Sequence, residues 1–501
     1  MSLFVFPARR RKVNNTISPR LVLGKGLLPH QIPRQRFFLE ESLPENSFNV
    51  QLVYGPVEKR QVNFEGNLPG QVSTFASTLL SLSNGRYRLY ATTREFGEIS
   101  MGISVWESDD GLTWEPSLLG QREVTHQPSN LIFFEGLAGN QLAVGQPQIV
   151  PLRDGRWRMY FWKHGDSQVR YLTAESEDGL HWRVTGEPVL YHPGDKETGE
   201  IMRAGEETEF SEEYLVRKRL LTNDATHVYY NSVLDRYECY SVWLHPAIPD
   251  RRVETDNCPG MHRLIHRRLS QDGLAWSEPE LLLIPDSNDP WDLQFYFLAV
   301  QSYQDFLVGS LGYYRVEEGQ QSMDTELGFS FDGGRKWHRP VRGGFIPRSH
   351  PESKLLDTVG IYASNTWIDT GEDWLCLYTG TAFPHNAKKC LAKPAAATFK
   401  KGRMVGVAAG VNPGGFLTPP FFPTTSELRL DANIKGWLRA ELCDGSGRKL
   451  PGFHLMDSLI IRGDNQNHIL RWKTGLPTRY LYQCVRIRFE LADGVIYSFS
   501  W

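Results

Sequence analysis

Apolar and polar residues alternate in short runs along this chain, and many runs are closed by a turn signal such as Asn84-Gly85 or Asp154-Gly155. Runs of this length, rich in β-branched and aromatic residues, are the pattern of strands half-buried in a sheet. Three of them, at 72–80, 87–92 and 101–107, lead into Ser108-Asp109-Asp110-Gly111-Leu112-Thr113-Trp114. The same order returns at 147–150, 157–161 and 170–175 before Ser176-Glu177-Asp178-Gly179-Leu180-His181-Trp182. The motif recurs as Ser270-Gln271-Asp272-Gly273-Leu274-Ala275-Trp276 and, with one residue inserted, as Ser330-Phe331-Asp332-Gly333-Gly334-Arg335-Lys336-Trp337. An Asp-Gly pair can take the positive φ angles of a tight hairpin, and the tryptophan follows where the next strand begins and can be buried. Each unit therefore reads as a four-stranded blade. A third begins near Thr222 and carries an insertion around 246–260; a fourth begins near Leu293. A fifth, at 361–381, keeps its inner strands but lacks the hairpin, so another part of the chain is expected to complete it.

The repeated tryptophans stand 68, 94 and 61 residues apart, longer than the roughly 40 to 50 residues of common propeller repeats. The blades therefore carry long loops at one end. The fold class predicted is all-β: a five-bladed β-propeller over 61–405, then a C-terminal β-sandwich over 406–501. Residues 1–60, with Pro29, Pro33, Pro44 and Pro56, read as an extended segment packing on the propeller. The stretch 406–415 reads as a linker, and 427–430, 436–442, 485–491 and 495–499 as sandwich strands, expected to pack against the propeller in preference to binding carbohydrate.

Composition narrows the function classes. The 501 residues are 40% hydrophobic and 23% charged, with Gly 45, Pro 30 and Trp 14, an ordinary globular make-up rich in turns. A net charge of −3 gives no electrostatic case for nucleic acid or an anionic membrane as partner. No apolar run is long enough to cross a bilayer. Cys239, Cys258, Cys376, Cys390, Cys443 and Cys484 show neither Cys-x-x-Cys pairing nor metal-ligand spacing, which reads as free thiols in a reducing compartment. The basic cluster Arg9-Arg10-Arg11-Lys12 follows the apolar start of the chain, the reverse of a secretory signal, so a cytoplasmic location is the expectation.

Several stretches resemble one group of proteins. Phe64-Glu65-Gly66-Asn67, Gly85-Arg86-Tyr87-Arg88-Leu89-Tyr90 and Asp324-Thr325-Glu326-Leu327-Gly328-Phe329-Ser330 are similar to the five-bladed glycoside hydrolases of the fructosidase and arabinofuranosidase superfamily. The likeness is to the bacterial branch similar to the N-terminal domain of sucrose-cleaving fructosidases. The tail from Leu450-Pro451-Gly452-Phe453 through Ile461-Arg462-Gly463-Asp464 to Tyr497-Ser498-Phe499 is the specific part of the match. The resemblance implies a glycoside or oligosaccharide substrate, no cofactor, and three carboxylates drawn from different blades. It admits a structural calcium ion at the propeller centre, although no motif encodes one. In better-known members an Asp sits on the first strand of blades one and two; here 73–78 and 145–149 carry no acid.

Glycoside hydrolysis needs two carboxyl groups across a pocket. Asp224 opens the inner strand of blade three among small neighbours, where the resembling branch also has an Asp. Glu65 matches a Trp-Glu of that branch, with Phe64 in place of the Trp. Glu206 and Glu207 lie on the approach to blade three. Asp224, Glu65 and Glu207 are therefore the candidate catalytic acids. Arg94, Trp162, His164 and Trp243 follow the second strands of their blades and suit sugar binding, as do Asp292 beside Trp291 and Asp324 near Glu326. Two alternatives stay open: a non-catalytic carbohydrate-binding propeller, and a sialidase-like enzyme, for which Arg94 and Arg203 are candidates but a third pocket arginine is not evident.

Overall fold

A computed structural model describes residues 35–64, 71–95, 101–121, 123–124, 127–165, 167–207, 211–317, 319–387 and 391–501. Blade one is built from Gln71–Ser81, Tyr87–Glu95, Met101–Ser108 and Thr113–Pro116. Blade two comprises Val144–Pro151, Trp157–Lys163, Arg170–Ser176 and Trp182–Val184. Blade three follows with Thr226–Asn231, Arg236–Pro246, Met261–Ser270 and Glu280–Leu283. Blade four has Gln294–Tyr303, Phe306–Glu317 and Gln320–Ser330, its outer edge a bridge from Phe329 to His338. In blade five, Gly360–Ala363, Asp373–Thr381 and Ala392–Lys400 are joined by Glu58–Gln61 from the N-terminal segment, which supplies the missing outer strand.

The period of two along each strand gives every blade two apolar faces. Leu89 and Ala91 face blade five, in a core with Leu375, Leu377 and Ala396; Tyr90 between them faces blade two, with Met159 and Phe161. Further cores lie between blades two and three (Tyr160, Val228), three and four (Ile265, Val300), and four and five (Val308, Ile361). Five interfaces for five blades make a closed ring, which leaves only short, protected sheet edges.

The repeated hairpins hold this ring together. In the first, Ser108 Oγ accepts from Gly111 N–H at 2.8 Å, and Asp110 Oδ1 accepts from Leu112 N–H and Thr113 N–H, each at 2.7 Å. The indole of Trp114 donates to Gly111 O at 3.1 Å and is fully buried. The second and third hairpins are also latched by a tyrosine of the blade before them. Tyr90 Oη donates to Gly179 O at 2.6 Å and Tyr160 Oη to Gly273 O at 2.9 Å.

Beyond the propeller, Arg429–Asp444 and Val485–Ser500 pair antiparallel, bending at bulges near Asp431 and Ile434 so that the sheet wraps its own core. The stretch read as a linker is not one. Val405–Ala409 and Gly414–Leu417 are strands that pair with Val485–Ser500, because glycines there let backbones approach: a Cβ on Gly415 would lie 2.6 Å from Phe489 O. N-terminal strands Gln35–Phe37, Glu45–Phe48 and Val50–Tyr54 pair into this same sheet. Both junctions drawn from the sequence, at 60/61 and 405/406, therefore fall inside strands.

The all-β expectation also missed two helices between blades two and three, α1 (Lys196–Glu207) and α2 (Glu212–Leu220). Among the described residues Cys239, Cys258, Cys376, Cys443 and Cys484 are free thiols, and no helix is long and apolar enough to cross a membrane. Cys390 lies outside the described residues.

Candidate active site

Inner strands reach the pocket face through irregularities. Register shifts between Ala76 and Thr78 in blade one, between Gly145 and Gln148 in blade two, and between Phe295 and Leu298 in blade four. A bulge bends a strand and re-aims its side chains. In blade two a Cβ on Gly145 would lie 2.9 Å from Thr92 Cγ2. Glycine is required there, and Gln146 follows at φ 56°. Its backbone N–H donates to Thr92 Oγ1 at 2.7 Å, while its side-chain amide reaches Asp224 Oδ2 at 3.4 Å.

Asp224 lies in the bend before Thr226–Asn231, partly exposed. The bend is held by Asn223 N–H donating to Val242 O at 3.0 Å. Asn223 Oδ1 meets His192 Nε2 at 2.5 Å, and His192 Nδ1 accepts from Gly194 N–H at 2.9 Å. An accepting Nδ1 puts the proton on Nε2, so His192 donates to Asn223.

Asp224 acts electrostatically on groups of blades two, four and five, and Arg94 of blade one acts on two of the same groups. His164 of blade two is held below the ordinary histidine value by burial; Asp224 opposes the shift, while His192 and Arg94 of blade one add to it. His385, after the second strand of blade five, falls to about 4 through burial and then the Arg263 guanidinium, against Asp224 and Asp256. The Tyr296 phenol of blade four is pushed well up by burial and then by Asp224. Near pH 7 both imidazoles are neutral and the phenol keeps its proton. His385 Nδ1 meets Tyr362 Oη at 2.8 Å, and its ring packs 4.8 Å from that of Tyr296. Arg94 sits over the Phe75 ring at 5.7 Å.

A second carboxylate stands beside this cluster. Asp256, from the blade-three insertion, is buried and accepts from Arg263 Nη1 at 2.5 Å, Tyr314 Oη at 2.8 Å and Gln294 Nε2 at 2.9 Å. Burial pushes its carboxyl up, but Arg263 and Gln294 outweigh burial and leave it below its ordinary value. It is an ionised anchor for Arg263. Deeper along the inner strands, His227 ties blade two to blade four, meeting Gln148 Oε1 at 2.8 Å and Val300 O at 3.3 Å.

The candidates read from the sequence divide accordingly. Asp224, Arg94 and His164 come together. Glu65 lies outside the described residues, and Glu206 and Glu207 are the last residues of α1, their side chains outside the description. Trp162 is not a sugar platform: its ring is fully buried between blades two and three, 5.0 Å from Tyr171. Asp292 and Asp324 are engaged in ion pairs. Asp292 accepts from Arg315 Nε at 2.8 Å and Val316 N–H at 2.9 Å, and Asp324 is paired bidentately by Arg348 at 2.7 Å. Trp243 is half-buried with its ring 5.0 Å from His266. Gln146, His192, Tyr296, Tyr362, His385 and the Asp256–Arg263 pair went unread. The one signal for them was an aromatic at the start of inner strands four and five. Among the described residues no group of three or more His, Cys, Asp or Glu is arranged to hold a metal.

The closed ring of blades defines the chain as a five-bladed β-propeller, and over about 70% of its length it is similar, at low identity, to solved propeller glycoside hydrolases. No family model matches the sequence, and none of the curated proteins does. Among solved structures, the chain is similar to a glycoside hydrolase at 13% identity, covering 69% of this chain and 92% of the other, with a TM-score of 0.45. An N-acetylgalactosamine deacetylase from F. plautii, solved in complex with blood group B trisaccharide, is 16% identical, with 71% and 97% covered and a TM-score of 0.42. A thermostable family-43 glycoside hydrolase is 12% identical, with 69% and 91% covered and a TM-score of 0.41.

Proposed function

We propose that the chain is a glycoside hydrolase that cleaves a furanoside or similar non-reducing-end sugar in the pocket around Asp224. The observation that carries this reading is that Asp224 of blade three is met by Gln146 and acts on His164, Tyr296 and His385 of blades two, four and five, while Arg94 of blade one acts on the same two histidines. Asp224 makes no ion pair among the described residues, and its hydrogen bond from Gln146 is long. Its lone pairs are therefore available to an anomeric carbon or an attacking water. Arg94 and the protonated Tyr296 phenol can donate to sugar oxygens, and Phe75 offers a ring face. The proton donor is assigned to Glu207 or Glu65, since the other carboxylate near the pocket, Asp256, is occupied by Arg263.

That occupation favours a second reading, a propeller that binds carbohydrate without cleaving it. Hydrolysis of an aryl-glycoside panel, furanosides included, separates the two. Turnover by the native chain, lowered at least about a thousandfold by Asp224→Asn and by either Glu207→Gln or Glu65→Gln, supports the hydrolase. No turnover on any member, with sugar binding intact by calorimetry, supports the binding propeller.

A further inference from the structure

The sandwich carries a groove remote in sequence from the propeller pocket. Along Arg429–Asp444, Leu438, Ala440 and Leu442 point into the core. The alternation of a strand puts Trp437, Arg439 and Glu441 on the opposite face. The paired strand sets Ala492, Glu490 and Arg488 directly across from them. The segment 450–460 then folds back along the strand edge, with Leu442 N–H donating to Phe453 O at 2.9 Å and Ala440 N–H to Ser458 Oγ at 3.0 Å. His454, Met456 and Ile460 of that segment, together with Arg462, wall a groove of about 550 Å³.

Glu441 is buried at its floor. Lys449 Nζ lies 3.3 Å, Arg488 Nε 3.4 Å and His454 Nδ1 3.8 Å from its carboxylate. One buried anion thus gathers the Lys449 and Arg488 cations at the groove and is offset by them. Arg439 and Arg462 add two guanidiniums against Glu490, so the groove is net positive. Arg439 Nη1 rests on Met456 Sδ at 3.2 Å, and Met456 is 71% exposed and Ile460 48%. An indole face and apolar rim beside guanidinium forks suit a ring that carries a carboxylate. The ring's apolar side stacks on Trp437 while the carboxylate pairs with arginine. A bare anion would gain nothing from the indole, and a neutral sugar could take hydrogen bonds from the arginines but would leave their charge unpaired.

We propose that this groove is a second carbohydrate site, selective for oligosaccharides that contain uronic acids. It rests on the reading above only in taking glycans as the ligands of this chain. Calorimetric titration of the full chain with oligogalacturonate, oligoglucuronate and oligomannuronate tests it, with neutral oligogalactan and polyphosphate as comparisons. At least one oligouronate is expected to bind at least tenfold more tightly than either comparison. Trp437→Ala and the Arg439→Ala/Arg462→Ala pair should each weaken that binding at least tenfold, and Asp224→Asn should leave it unchanged. Should Trp437→Ala fail to fold, the charge reversal Arg462→Glu on an exposed side chain reads the same site. No binding of any oligouronate overturns the proposal. So does polyphosphate binding as tightly with no effect of Trp437→Ala, or a loss that follows Asp224→Asn. Binding in the groove without turnover on the glycoside panel would leave this inference standing and remove the hydrolase; turnover without groove binding would remove this inference alone.

Discussion

His227 shows how burial turns into a pH dependence. Burial in the channel holds it at about 4, against an ordinary 6.5. As pH falls through 6.5 the unfolded chain takes up a proton that the folded chain accepts only near 4. The stability is therefore whole above pH 6.5 and declines on the way to 4, by about 1–3 kcal/mol for this residue. Urea unfolding from pH 7 to 4.5 should show the decline, and His227→Gln should flatten it. An unchanged slope would assign the protons to other groups. In the pocket, His164 and His385 are depressed in the same direction, so an acid limb of kcat/KM near pH 6.5 is not expected. The place of Asp224 at the entry to an inner strand was legible because an acid among small residues stands just before that strand. His385, Tyr296 and Asp256 were not, because their side chains meet only when the ring closes.

Among elements, the hairpins were the most legible, since serine, Asp-Gly and tryptophan each have a local task. Their latches were not: the Tyr90 hydroxyl finds Gly179 O across a blade boundary. Tyr90→Phe removes one of that carbonyl's two donors, the Trp182 indole at 3.1 Å remaining, and should cost about 1 kcal/mol in chemical denaturation. Trp182→Ala should cost about 3–5 kcal/mol through the cavity it leaves. Gly179→Ala should be worse than Tyr90→Phe, because φ is +73° and the new Cβ would lie 2.7 Å from Tyr90 Oη. Equal effects would mean that the latch bears little on the blade contact. The helices had a readable signal that strand patterning overshadowed. Ser211 accepts from Tyr214 N–H at the start of α2, acids follow it, and Arg217, Lys218 and Arg219 close the last turn. In α1, Gly205 is needed because the Tyr214 ring of α2 lies against it.

For the molecule as a whole, residues 35–61 act as a stitch between sandwich and propeller. Glu58–Gln61 pairs with Ala395–Thr398, and Lys59 Nζ donates to the buried Asp357 Oδ2 at 2.9 Å. Farther on, Arg403 Nε donates to Asp431 Oδ1 at 2.8 Å, tying the last propeller turn to the sandwich. A chain starting at residue 62 would lose the outer strand of blade five and three strands of the sandwich. It should melt at least about 10 °C lower or aggregate through the uncovered Ala392–Lys400 edge. Melting at the native temperature would show that the stitch is dispensable.

Strand alternation, turn chemistry and repeated tryptophans depend on residues a few positions apart, and from them the blades, their number and the open fifth blade could be read. Which side chains share a pocket is set by contacts between residues far apart in the chain. The closing strand at 58–61 pairs with residues near 396, and Arg94, His164, Asp224, Tyr296 and His385 meet only because five blade interfaces close. Trp162 and Asp292 carried the same local signals as His164 and Asp224. Only the packing of neighbouring blades and an arginine from an adjacent strand turned them away from the pocket.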